Sequence, residues 1–200
     1  MQLPSPLRLA EVSWRPPPLK TERLLLRGYE PSDLRDIFAY ASDPEVTRFM
    51  SWNRHESVAD SQRFLDQWVA RHYANRELDF AICERTAPHR VIGGIGLFWR
   101  SRNHGVMELG YVLSKAHWGQ GYVPEAGRLL LRHGFETKPV WRIYAPIFRE
   151  NDKSHRAAQK MGLTFEGVHR SALLLRGRRW DEAVYAILRE EILDTAPTTG

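Results

Sequence analysis

Cysteine is nearly absent: Cys83 stands alone in 200 residues, which excludes a disulfide within the chain. Set in a strand-like run with no cationic neighbour to activate it, Cys83 reads as a core thiol and not a nucleophile. Without a covalent staple a hydrophobic core must carry the fold, and this length has room for one domain of ordinary size but not comfortably for two. Long apolar runs are missing too. No stretch approaches the ~18 apolar residues of a membrane-crossing helix, and the N-terminus has no basic segment followed by an apolar core. These absences predict a cytoplasmic protein, monomer or homodimer, that makes no membrane contact. His104, His117, His133 and His155 show neither HExxH nor paired Cys/His spacing, so no metal is expected. Excess charge is slight: 29 basic against 24 acidic residues give a net +5, and the basic residues are scattered apart from Arg176, Arg178 and Arg179. Charge alone therefore selects no anionic partner.

Proline is plentiful only at the start, where Pro4, Pro6, Pro16, Pro17 and Pro18 resist both helix and sheet. Residues 1–18 are thus expected to form an arm outside the core, followed by one domain over 19–191 and a tail over 192–200. Strand-like runs are TERLLLRG from Thr21, Leu78 to Glu84, Val91 to Trp99, Val106 to Leu113, Arg142 to Phe148, Thr164 to Leu175 and Glu182 to Leu188. A helix is expected near Asp33 to Ala41, after which Asp43-Pro44 breaks the chain. Val58, Leu65, Trp68, Val69 and His72 recur at helical spacing, predicting an amphipathic helix over Ser57 to Asn75. Pro124 to Glu136 is a third helix, and Asn151 caps a fourth that Gly162 ends. The order implies an α/β protein with a mixed, mostly antiparallel sheet of about seven strands, flanked on both faces by about four helices.

The stretch HWGQGYVPEA, His117 to Ala126, joins a strand to a helix through two glycines. Glycine permits positive φ and close backbone approach, and a helix start offers unpaired N–H groups with a partial positive charge. Such a turn can cradle a diphosphate. Its spacing matches neither GxGxxG nor GxxxxGK[ST], so a Rossmann dehydrogenase and a P-loop NTPase are both disfavoured.

TERLLLR, IGGIGL (Ile92 to Leu97), ELGYVL (Glu108 to Leu113), WGQGYVPEA (Trp118 to Ala126) and the run from Asn151 through KMGLTFEG together resemble the GNAT superfamily of acyl-CoA-dependent N-acetyltransferases over roughly residues 19–191. The RimJ/RimL-like branch, which acetylates protein N-terminal amines, is the most similar. The resemblance implies a GNAT-type fold, acetyl-CoA as cosubstrate without a metal, and an amine acceptor such as a peptide N-terminus, possible in a ribosomal protein, or a small amine. It places the donor's diphosphate on Trp118, Gly119, Gln120, Gly121, Tyr122 and Val123. Trp118 and Val123 depart from the superfamily pattern [QR]xxGx[GA], a change a cradle of backbone N–H groups tolerates. Tyr111, Val112 and Leu113 are expected along the donor, with backbone N–H groups near Val112 and Leu113 facing the thioester oxygen.

Acetyl transfer to an amine requires the amine's neutral form and a proton for the departing thiolate. Glu108 is the first candidate base; an ion-pairing or positioning carboxylate is the alternative. The superfamily's usual tyrosine acid falls here on Ala158, leaving Ser154 as the hydroxyl, matching the branch's serine and suited to hydrogen-bonding the sulfur. Asn151 is both a helix cap and a candidate contact to pantetheine, and Arg156 can meet CoA phosphates. Trp52 and Trp180 are candidate acceptor-lining aromatics, with core packing the alternative for each. Two other readings stay open: a small-amine (aminoglycoside or polyamine) acetyltransferase, and a non-catalytic acyl-CoA-binding or RNA-associated module.

Overall fold

Alternating apolar residues and turn signals resolve, in a computed structural model describing residues 8–193, into eight strands and a series of helices. Strands β1 (Leu19–Lys20) and β2 (Leu24–Arg27) precede α1 (Leu34–Ala41) and α2 (Pro44–Thr47). Next come α3 (Val58–Arg63), a π-helical segment (Phe64–Val69) and α4 (Ala70–Ala74), then β3 (Leu78–Glu84), β4 (Val91–Ser101) and β5 (Val106–Leu113). Helix α5 (Tyr122–Thr137), β6 (Arg142–Phe148), α6 (Asp152–Met161), β7 (Thr164–Leu175), β8 (Arg178–Leu188) and α7 (Arg189–Leu193) complete the chain. The strands form one mixed sheet in the order β1-β2-β3-β4-β5-β6-β8-β7. Among the described pairs, β5 and β6 run parallel, whereas β1–β2, β2–β3, β6–β8 and β7–β8 are antiparallel. No described helix is long and apolar enough to cross a membrane.

The fold contains two compact units. The first takes the described residues through Gly96 with Tyr111–Tyr122, the second Leu97–Gly110 with the described residues from Val123 to Leu193. In the first unit, Tyr29, Ile37, Leu65, Val69, Tyr73 and Cys83 belong to one buried cluster. Burial pushes the Cys83 thiol up to about 11, in keeping with a core role. The Tyr73 hydroxyl donates to the Asp79 carbonyl at 2.9 Å and accepts from the Tyr29 amide at 2.8 Å. Asp33, also buried, accepts from both terminal nitrogens of Arg27 at 2.8 and 2.7 Å and from the Glu30 amide at 2.8 Å. In the second unit the inward faces of β6 and β8 bury Ile143, Ala145, Ile147, Ala183, Tyr185 and Ile187. Helix α6 adds Ala158 and Met161 to the buried set, and α5 approaches the sheet closely enough for a Cβ on Gly134 to meet Ile143.

Local signals fix several boundaries. Asn151 caps α6 by accepting from the Ser154 amide at 3.3 Å, and Gly162 ends it at φ +93°. Three expectations need correction. Asp43-Pro44 does not simply interrupt the chain: Asp43 caps α2 and Pro44 begins it, because proline is well placed in a first helical turn. The helix over 57–75 forms, but Val58 and Trp68 of its proposed apolar stripe are 44% and 43% exposed. Its π-helical turn shifts the phase of a regular 3.6-residue stripe. Finally, residues 8–18 are not outside the core. Leu9 joins the buried cluster, Trp14 meets Tyr73 edge-on at 5.9 Å, and Arg15 lies over the Tyr73 ring at 5.1 Å. Proline restricts this segment's backbone without preventing its side chains from docking. Residues 1–7 of the expected arm and 194–200 of the expected tail lie outside the described residues.

Tyr73→Phe removes the acceptor of the buried Tyr29 amide and the donor to Asp79. It is expected to cost about 1–3 kcal/mol in urea unfolding, with an unchanged m-value.

Candidate active site

In the first unit, the Ser114 amide donates to the Ile92 carbonyl at 2.8 Å just beyond β5. Gly93 is needed alongside, since a Cβ there would overlap the Val112 carbonyl. After one 3₁₀ turn over Lys115–His117, Trp118 is extended and its indole Nε1 donates back to the Leu113 carbonyl at 2.8 Å. The tryptophan that replaces the motif's polar residue thus ties the turn to the strand end. Gly119 and Gly121 follow at φ +78° and +79°. An added Cβ would meet nothing within 4 Å at Gly119, so backbone conformation and not crowding calls for glycine there. Between them the Gln120 carbonyl accepts from Arg23 Nη1 at 3.0 Å. Tyr122 begins α5; its hydroxyl donates to Glu84 Oε1 at 2.6 Å and its ring lies 4.7 Å from the Arg23 guanidinium carbon. Open space at Gly119 and amides at the start of a sixteen-residue helix suit the diphosphate of acetyl-CoA.

In the second unit, β5 pairs with β6 only through Val106–Arg142, Met107–Ile143 and Glu108–Tyr144. Strand β6 continues on β8 as far as Phe148–Glu182. The two-residue strand repeat puts Glu108, Tyr144 and Glu182 on one sheet face, opposite the face that buries Ile143 and Ile147. Glu108 Oε2 accepts from Arg100 Nε at 2.7 Å and from the Tyr144 hydroxyl at 3.1 Å. Burial, with the neighbouring Glu108 charge, pushes the Tyr144 hydroxyl above its ordinary range. Glu182 is half-buried, and its carboxylate has no hydrogen-bond or ion-pair partner among the described residues. Burial first, then Glu108, raises its pKa, while His169 opposes the shift.

The expected residues fall into these same two groups. Trp118, Gly119, Gln120, Gly121 and Tyr122 form the turn, with Val112 and Trp52 half-buried against the first unit's core. Trp52 also lies 5.3 Å from the His55 ring. Tyr111 is half-buried on β5, and Leu113 is buried at its end. In the second unit Asn151 and Ser154 join at the start of α6, Ser154 half-buried and Arg156 exposed, and Val123 lies in the first turn of α5. Trp180 packs edge-on to Phe148 at 5.3 Å, carries Arg178 over its ring at 4.0 Å and donates to the Leu175 carbonyl at 3.2 Å. Ala158, where the superfamily's tyrosine falls, is fully buried. The sequence reading missed Arg23, Arg100, Tyr144 and Glu182. Alternation along Arg142–Phe148 and Arg178–Leu188 was the available signal for Tyr144 and Glu182.

Residues 23–164 match the family described as acetyltransferase (GNAT) domain. The chain is 32% identical over 173 residues to an uncharacterized N-acetyltransferase, YoaA, of Bacillus subtilis (strain 168), covering 86% of this chain and 97% of the relative. A GNAT-family acetyltransferase structure from Bacillus anthracis superposes with TM-score 0.77 at 27% identity, covering 87% of this chain and 99% of that one. RimL, a ribosomal L7/L12 alpha-N-protein acetyltransferase solved with coenzyme A, superposes with TM-score 0.76 at 17% identity, over 86% and 98% of the two chains. At that identity the likeness to RimL is one of fold.

The pKa of Glu182 is raised on folding, so its contribution to stability is lost as pH climbs from the ordinary value near 4.5 through the raised folded value. Glu182→Gln is therefore expected to melt above the wild type at pH 8 and level with it at pH 4. A lower melting temperature at pH 8 would show that the carboxylate has a stabilising partner.

Proposed function

The chain belongs to the acetyltransferase (GNAT) domain family and is an acetyl-CoA-dependent N-acetyltransferase, and we propose that its acceptor is an α-amino group of the kind found at a protein N-terminus. The carrying observation is the engagement of Glu108 by Arg100 and Tyr144. With one oxygen engaged in this way, the carboxylate keeps the other for the acceptor amine or a bridging water. An α-amine of pKa ~7.7–8.0 is already partly neutral near pH 7 and asks little of a base, whereas a lysine-like amine near ~10.4 asks far more. Glu108 takes the ammonium proton directly or through a water, and Glu182 on the same face attracts the cationic form of the amine. The terminus of a ribosomal protein is one acceptor of this class.

On this reading the Trp118–Val123 turn binds the donor's diphosphate, Tyr111 lies along the donor, and backbone N–H groups near Val112 and Leu113 hold the thioester oxygen. Asn151 hydrogen-bonds pantetheine, and Arg156 meets a CoA phosphate. Ser154 donates to the sulfur while solvent supplies the proton, since a serine hydroxyl is too weak an acid to do so alone. Trp52 and Trp180 line the acceptor's approach. When bound, acetyl-CoA supplies the activated acyl group, which passes directly to the amine with no acyl-enzyme. Buried Cys83, its thiol pushed up to about 11, is unsuited to act as a nucleophile.

The test follows free-thiol release from acetyl-CoA with three acceptor sets: peptides with free N-termini, the same peptides N-terminally blocked but containing lysine, and polyamines with aminoglycosides. Release confined to the first set is expected. Faster release with the third would make the enzyme a small-amine acetyltransferase, and CoA binding without release on any acceptor would make it a binding module. With the best acceptor, Ser154→Ala is expected to lower kcat about tenfold at unchanged CoA affinity, the loss of one hydrogen bond to a developing charge. Gly121→Val, a β-branched residue forced to φ +79°, should weaken CoA binding.

A further inference from the structure

Glycine leaves the direction of an amide undecided. Gly119 and Gly121 flank Gln120, and on the far side of the Gln120–Gly121 peptide Gly121 has no Cβ to restrict its plane. A trans peptide points its carbonyl and N–H to opposite sides, so whatever grips the Gln120 carbonyl also aims the Gly121 N–H. The grip comes from 97 residues away, where Arg23 Nη1 donates to that carbonyl at 3.0 Å. Arg23 is itself held. Its guanidinium carbon lies 4.7 Å from the Tyr122 ring centroid, and Tyr122 is tethered through its hydroxyl to Glu84 at 2.6 Å. The backbone carrying Arg23 is fixed from the residue just beyond β3, because the Arg85 amide donates to the Arg23 carbonyl at 2.9 Å. Arg85 Nη1 also donates to the carbonyls of Thr21 and Glu22 at 3.3 and 3.1 Å. A continuous set of bonds therefore runs from Arg85 through the β1–β2 turn and the Arg23 side chain to the Gln120–Gly121 peptide.

We propose that Arg23 is a positioning residue for the donor: by holding the Gln120 carbonyl it turns the Gly121 N–H toward the diphosphate of acetyl-CoA. It also supplies a positive charge that Trp118, standing at the first position of the motif, cannot. Arg23 Nη2 lies 3.7 Å from where a Cβ on Gly121 would sit, so the charge is adjacent to the turn's second glycine. A charge-assisted bond from arginine is stronger than a neutral one, which suits a clamp on a flexible peptide. This assignment rests on the turn being the diphosphate site.

The experiment compares wild type and Arg23→Ala, as full-length protein, for binding of CoA, 3′-dephospho-CoA and pantetheine by NMR titration. Arg23→Ala is expected to lose about tenfold in affinity for CoA and for 3′-dephospho-CoA, the scale of one charge-assisted hydrogen bond, and to bind pantetheine like the wild type. The Gly121 amide resonance should move downfield with CoA in the wild type and stay in place in the variant. Unchanged CoA affinity in Arg23→Ala, or an equal loss for pantetheine, overturns the assignment; the second result would mean general damage to the fold. If the wild type itself binds CoA no more tightly than pantetheine, the diphosphate reading of the turn fails, an outcome separate from the failure of Arg23 alone.

Discussion

Three residue pairs of parallel strand decide which side chains share a sheet face in the second unit. β5 and β6 are joined from Val106–Arg142 to Glu108–Tyr144, after which β6 stays with β8 to Phe148–Glu182. The last shared pair puts a carboxylate beside a phenol on one sheet face, and the strand repeat brings Glu182 to that face further along. The opposite face is committed to core by Ile143, Ala145 and Ile147. A longer parallel ladder would have occupied the backbone groups of Leu109 and Gly110. The short one leaves them to other partners, next to Glu108 in the chain.

The electrostatics of that face are unequal by construction. Glu108 is satisfied by a guanidinium and a hydroxyl, whereas Glu182, half-buried, has a like charge nearby and only His169 to offset it. A fold under selection for stability alone gains nothing from a half-buried carboxylate without a partner. On the function proposed above, the ammonium form of the acceptor supplies the missing partner. The same face carries Trp180, held by Phe148 and overlaid by Arg178.

What could be read from the sequence was whatever short-range chemistry determines. Asn151 and Gly162 mark the ends of α6 because a side-chain cap and a left-handed residue act within one turn. Arg142–Phe148 was legible because apolar alternation is local, and the glycines of the turn because positive φ has few other solutions. Long-range contacts were not legible. Leu9 and Trp14 dock although proline surrounds them, since composition describes a backbone and not the surface it meets. Arg23 belonged to a run read as a strand and as one piece of the family resemblance but not as part of the site, and its grip on Gln120 exists only once the chain has folded. The exposure of Val58 and Trp68 likewise follows from a π-helical turn that a fixed 3.6-residue period does not anticipate.

The indole bond from Trp118 to Leu113 bears on how a ligand meets this protein. It closes the six residues Leu113 to Trp118 into a ring that leads into the turn, and Arg23 braces the turn itself from another strand segment. A loop closed in this way has already surrendered its conformational entropy during folding, so little remains to be lost when a ligand arrives. On the proposed reading of this turn as the donor site, encounter resembles docking to a surface largely organised beforehand, with little of the binding free energy spent on ordering the loop. Substitution of a polar motif residue by tryptophan thus moves the work of organising the turn from the moment of binding to the moment of folding.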